Sequence, residues 1–289
     1  MSNQAPATPF AGGARATTSS RKGARVFTVC GHTGPTGPSQ EQADKAYSGT
    51  TLNGEVTIDK GVQIWSVPSS GRYTIEALGA RGGNKAPGTG GSGARIVGSF
   101  DLSAGDVLRI HVGQQGQDCP NRASTNGSGG GGGSFVFLNG KAILIAGGGG
   151  GTSYQKDSGS GGSADQYSVG GGYGQFIDGQ GGKTDNGGGG GTGAGGGGLY
   201  GHGQGNNWSK GGFKAGGNGN DSSSKIWGGF GGGGGSYHGG GGGGGYTGGG
   251  GGLYKVGGGG GGSYNTGFSP INQASYNQGD GQVIISLPA

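Results

Sequence analysis

Two cysteines, Cys30 and Cys119, are too few in a chain of 289 residues to build a disulfide framework. They also lack the paired spacing of a zinc site. A single Cys30–Cys119 bridge is open to them. Free thiols are the expectation, because the first 25 residues contain no apolar stretch of the kind that starts a secretory signal. Proline is scarce, at nine residues, and glycine follows no Gly-X-Y period. Collagen is therefore excluded, although glycine, at 89 residues, makes up close to a third of the chain. No run is apolar enough to cross a membrane.

Charge is lacking in a patterned way. Residues 1–25 carry Arg15, Arg21, Lys22 and Arg25 and no acid, whereas residues 26–129 hold eight cations and eight anions. The basic character thus belongs to an N-terminal arm, read as extended and as a docking segment. Every arginine lies before Asn126, so the later glycine runs lack the interleaved arginine of an RGG-type nucleic-acid binder. No specific nucleic-acid binding is expected.

Catalytic and cofactor signals are also missing. GxGxxG recurs, but never between a strand and an amphipathic helix, so it does not mark a dinucleotide site. GQGGKT (179–184) would place Ile177 where a P-loop needs its first glycine. His32, His111, His202 and His238 are scattered, with no nucleophile and acid beside them. His111 is read as a surface residue on a strand. No enzyme, cofactor or metal site is expected.

What is present falls into two patterns. VFTV (26–29), GVQIWSVP (61–68), GRYTIEALGA (71–80), DVLRIHVG (106–113) and QVIISLP (282–288) are β-branched or alternating segments. FVFLNGKAILIA (135–146) places Asn139-Gly140 between two apolar runs, a hairpin signal. One short helix fits GPSQEQADKAYSGT (37–50), capped by Ser39. Eight or nine strands and one helix predict an all-β sandwich of jelly-roll type. The sandwich is assigned to 26–146 plus 281–289.

The second pattern is glycine. Nine runs of three or more lie between Gly129 and Gly262, the longest being Gly239–Gly245. Ordering glycine costs roughly 0.5–1 kcal/mol per position beyond alanine, so the runs are either disordered or held by something cooperative. The C-terminal strand needs partners among the early strands. Residues 147–280 are then an insertion anchored at both ends, with a first run at 129–133. Polyproline-II-like rods without side chains could pack closely and bond to one another, ideally six around one. A tyrosine or phenylalanine stands beside most runs. Trp208, Trp227, Tyr237, His238, Tyr246 and Tyr254 are therefore the candidate recognition residues, gripping a glycan or protein, or else capping the rod ends.

FTVCGHTGPTGPSQEQADKAY (27–47), GVQIWSVPSSGRYTIEALGARGG (61–83), LRIHVGQQGQDCP (108–120), GGGGGSFVF (129–137), LIAGGGG (144–150), GGFGGGGGSYHGGGGGGGYTGG (228–249) and GQVIISL (281–287) keep a common order. Together they resemble the glycine-rich extracellular domain of the anaplastic lymphoma kinase and leukocyte tyrosine kinase receptors. The resemblance implies a tumour-necrosis-factor-like sandwich with an inserted bundle of polyglycine II helices. Ala43 stands where the family has a cysteine, and Cys119 resembles a family cysteine without its partner. KVGGGGGGSYNTG (255–267) replaces the family's acidic stretch, so ligand binding through acidic residues does not carry over. Neither kinase nor transmembrane segment is present in this sequence. Two functions follow as expectations. The first is a non-catalytic component of a surface assembly, such as a virion minor capsid or fibre protein, folded in reducing cytosol and docked on protein subunits through the basic arm. The second is an adhesin or receptor-like module that binds a glycan or protein through its aromatic loops.

Overall fold

The structure is a computed structural model that describes residues 23–119, 125–155, 158–170, 187–205, 211–214, 216–219 and 226–286. Two antiparallel sheets pack face to face. The first contains β1 (Arg25–Phe27), β4 (Gly71–Leu78), β5 (Gly93–Leu102), β10 (Phe268–Asn277) and β11 (Gln282–Ser286), in the order β1-β11-β4-β5-β10. The second runs β2 (Val56–Asp59), β3 (Val62–Ser66), β6 (Val107–His111), β7 (Ser134–Leu138), β8 (Lys141–Ala146) and β9 (Tyr264–Asn265). The result is an all-β sandwich, as the strand pattern requires.

Period-two alternation sets the core. Tyr73, Ile75 and Ala77 of β4, Ile96 of β5, and Val283 and Ile285 of β11 point inward from one sheet. Trp65, Leu108, Ile110, Val136 and Leu144 meet them from the other. Each such aliphatic or aromatic side chain contributes roughly 1.5–3 kcal/mol on burial. Strand β11 lies between β1 and β4, so the last described strand is an interior strand of the first sheet.

The one helix, α1 (Gln40–Tyr47), starts with a capping box. Ser39 Oγ accepts from Gln42 N at 3.3 Å, and Gln42 Oε1 accepts from Ser39 N at 2.8 Å. Its buried face carries Ala43 and Tyr47. Tyr47 donates its hydroxyl to Gln63 Oε1, and Gln63 Nε2 donates to Thr28 O at 2.7 Å, which satisfies the buried polar atoms where helix and sandwich meet. No disulfide involves Cys30 or Cys119, and both are buried.

Three expectations need correction. Arg25 belongs to β1 and not to an arm: its guanidinium pairs with Glu55, which also accepts from Trp65 Nε1 at 3.0 Å. β9 and β10 fall inside the stretch 147–280 read as insertion. Their sequence hides them, because every residue of β10 before Asn277 is exposed and no apolar alternation marks the strand. His111 is buried, because the outer face of β6 is not solvent. Phe230 stacks on its ring, Phe135 and Phe137 flank it, and Nδ1 bonds Gly216 O at 2.9 Å. The glycine-rich region covers that face through a second small core of Phe135, Ile145 and Leu199.

The glycine runs continue the strands. Run 129–133 leads into β7, run 147–151 leaves β8, and run 257–262 leads into β9. Beyond the sheet the backbones bond to other runs with a period of three. Gly240 N and Gly243 N donate to Val256 O and Gly259 O; Gly241 N and Gly244 N donate to Ser128 O and Gly131 O. Gly242 N and Gly245 N donate to Ala194 O and Gly197 O. The carbonyls of Gly241 and Gly244 accept from Gly151 and Gly148, those of Gly240 and Gly243 from Gly252 and Gly249, and that of Gly242 from Gly234. The longest run therefore has six neighbours, three that it donates to and three that it accepts from. Three residues per turn is the screw of a polyproline-II-type backbone. Nearly every buried amide of this run finds a partner without a side chain, as buried backbone groups require.

Close approach explains why glycine is needed. A Cβ at Gly242 would collide with the Gly249 carbonyl. A Cβ at Gly279, by contrast, would meet only Asn277 Oδ1, at 3.9 Å, and the φ there is ordinary. Gly242→Ala is expected to lower unfolding free energy by about 1–3 kcal/mol or more through overpacking. Gly279→Ala should change it by less than about 0.5 kcal/mol. Urea unfolding of the two variants beside the parent checks the pair, and equal midpoints would refute close packing of the runs.

Candidate functional site

Of the ten residues singled out in the sequence, Arg15, Arg21, Lys22 and Trp208 lie outside the described residues, and Arg25 is part of the sandwich. Trp227 is half-buried. Its N–H donates to Gln117 Oε1 at 3.0 Å, and its carbonyl accepts from Gln117 N, which ties it to the loop after β6.

The remaining four divide between the two ends of the longest run. At the start of Gly239–Gly245, His238 packs against Tyr237 at 3.9 Å, Tyr254 at 4.8 Å and Tyr154 at 5.9 Å between ring centroids. Tyr154 and Tyr254 meet edge-on at 4.9 Å. Tyr246 follows the end of the run and stacks on Tyr264 at 4.7 Å with planes 8° apart. Seven residues at a rise of about 3.1 Å put roughly 22 Å between the two groups.

The His238 cluster is assembled from three loops that each adjoin a glycine run. Tyr154 comes three residues after run 147–151, His238 precedes run 239–245, and Tyr254 lies between runs 248–252 and 257–262. Backbone bonds pin the loops. Tyr154 N donates to His238 O at 2.8 Å, Gly127 N donates to Tyr237 O at 2.7 Å, and His238 Nδ1 lies 2.6 Å from Thr125 O. Tyr254 remains 47% exposed, and hydrogen bonding to the Tyr154 hydroxyl, with the nearby Tyr154 charge, raises its pKa above the ordinary phenolic value. The sequence reading missed Tyr154 and left Tyr264, an aromatic beside a run, out of the recognition candidates. The signal was available, since both follow a glycine run within three residues.

No carboxylate stands among these ring contacts. Among the described residues, no group of three or more His, Cys, Asp or Glu could hold a metal ion. The arrangement offers aromatic faces, phenolic hydroxyls and one imidazole, which suits recognition by stacking and hydrogen bonding. Among the described residues no helix is long and apolar enough to cross a membrane.

The chain matches no established family profile. Over 107 residues it is 43% identical to the leukocyte tyrosine kinase receptor of Mus musculus. The match covers 34% of this chain and 12% of that receptor. The chain is related to the extracellular domain of that receptor family. It spans a small fraction of the receptor's length. The match lends nothing to a place in a virion.

His111 gives this region its pH dependence. Burial among rings, with a smaller contribution from the Arg109 charge, pulls its pKa from 6.5 down to about 4, against the Gly216 hydrogen bond. The folded protein therefore keeps His111 neutral, while the unfolded chain takes up a proton as pH falls below 6.5. Stability from this residue is intact above pH 6.5 and is lost as pH falls toward 4. The full difference is on the order of 3 kcal/mol. Urea unfolding between pH 7 and pH 4 should show a steeper loss for the parent than for His111→Asn. Parallel slopes would mean that His111 is accessible to solvent.

Proposed function

We propose that this chain is a non-catalytic, receptor-like recognition module acting outside the cell. In this reading the sandwich, residues 25–146 with 264–286, is a base. The glycine runs form a bundle of polyglycine II helices that holds aromatic loops in fixed positions toward a protein or glycan ligand. The observation that carries the reading is the His238 cluster, three loops pinned by main-chain bonds at the ends of a side-chain-free lattice. Rings fixed before binding lose little conformational entropy on contact, which favours affinity. The relation to a receptor's extracellular domain supports the same reading.

A structural role in a surface assembly is the second reading. It is favoured by the cationic residues Arg15, Arg21 and Lys22, which carry charge unopposed by any acid before Glu41. In that reading the arm docks on neighbouring protein subunits.

Arrays of cell-surface glycans and secreted proteins probed with the full chain distinguish the two. Tyr154→Ala and Tyr254→Ala are expected to weaken capture about thirtyfold, the size of an interface hot spot, with the unfolding midpoint nearly unchanged. Deletion of residues 1–22 is expected to leave capture intact. Loss of capture on that deletion, with the tyrosine variants unaffected, would move the function to the arm.

A further inference from the structure

The far end of the seven-glycine run carries a feature that the His238 cluster lacks. A cavity of about 430 Å³ opens there, lined chiefly by Phe137, Lys141, Leu199, Tyr200, Tyr246 and Tyr264. Four segments build it. Phe137 and Lys141 flank the β7–β8 turn, whose Asn139 and Gly140 both have positive φ. Leu199 and Tyr200 follow the run 195–198, and Tyr246 and Tyr264 end two further runs.

The walls are fixed. Leu199 N donates to Tyr246 O at 2.9 Å, Tyr246 N donates to Gly262 O at 2.8 Å, and Gly198 N donates to Gly201 O at 2.8 Å. Leu199 is buried in the small core beneath. The Tyr246 and Tyr264 rings are nearly coplanar in orientation and stacked, whereas Tyr200 is 67% exposed. An exposed tyrosine beside stacked rings and an apolar floor is the makeup of a ligand pocket.

Charge in the pocket has one sign. No carboxylate lines it, and Lys141 is its one charged lining residue. Lys141 forms no ion pair among the described residues. The amide of Asn139 is already committed, with Nδ2 donating to Asp106 Oδ1 and Oδ1 accepting from Val107 N, so it does not satisfy a ligand. What remains is an ammonium group, the phenolic hydroxyls of Tyr200 and Tyr264, and flat aromatic surface.

The geometry points to a glycan site for a sugar that bears a carboxylate, a sialic or uronic acid. The carbon face of a pyranose packs on tyrosine rings, its hydroxyls bond the Tyr200 and Tyr264 phenols, and its carboxylate meets Lys141. A peptide fits less well, since the main-chain amides of Leu199 and Tyr246 are already used within the fold. This assignment rests on the recognition reading above and narrows it to one pocket and one ligand chemistry.

Titration of the full chain by saturation-transfer NMR and calorimetry tests it, with methyl α-sialoside, methyl glucuronide and neutral methyl glucoside as probes. At least one acidic sugar is expected to bind about tenfold or more tightly than methyl glucoside, as an added charge-assisted hydrogen bond would give. Lys141→Gln should abolish that preference and leave neutral-sugar binding unchanged. Tyr200→Ala should weaken every sugar, and Tyr154→Ala at the other end should weaken none. The two acidic probes separate the sialic from the uronic source. Equal binding of acidic and neutral sugars, an unaltered preference in Lys141→Gln, or binding only of a short carboxylate-ended peptide would overturn the proposal. Capture on arrays that depends on Tyr154 and Tyr254, with no sugar bound at Tyr200, would overturn this pocket and leave the recognition module standing. Absence of both would remove both.

Discussion

The structure depends on one constraint: a backbone amide removed from water has to be bonded, and in the glycine runs the partners are chiefly other backbones. Removing every Cβ lets chains approach until carbonyl and amide meet across neighbouring runs. A three-residue repeat then directs each donor in turn to a different neighbour. Gly239–Gly245, with its six neighbours, is where that constraint is met most fully. Cooperativity follows, because each run satisfies its neighbours' groups as well as its own.

The sandwich solves a different part of the problem. Three runs are direct extensions of β7, β8 and β9, so the register of the second sheet sets the register of the lattice at its base. Strands β7 and β8 are consequently buried on both faces, with Val136 and Leu144 toward one core and Phe135 and Ile145 toward the other. The near-continuous apolar runs FVF and AILIA are what two-sided burial demands. His111 is buried for the same reason, although its alternation with Ile110 and Leu108 reads as half-exposed.

Much of this could be read from residue order. Ser39 with Gln42, Asn139-Gly140 and the alternation of β4 and β11 each specify local structure through a known interaction. The polar strand β10 could not be read so, since FSPINQASYN buries almost nothing and earns its place by pairing with β5 alone. The candidate site was partly legible. Aromatic residues beside glycine runs were a sound signal, but sequence order does not say which rings share an end. Tyr237, His238 and Tyr254 converge with Tyr154, while Tyr246 faces a different set of neighbours some seven residues along. Trp227 is held by Gln117, a partner that no spacing rule connects to it.

The threefold screw also governs how loops on this scaffold can change. Adding one glycine to a run would swing the following loop through a third of a turn and set every donor beyond it toward the wrong neighbour. Adding three would restore the facing and carry the loop roughly 9 Å outward. Run length therefore acts as a coarse dial for reach, with steps of three, and the aromatic tips inherit their azimuth from the count of glycines beneath them.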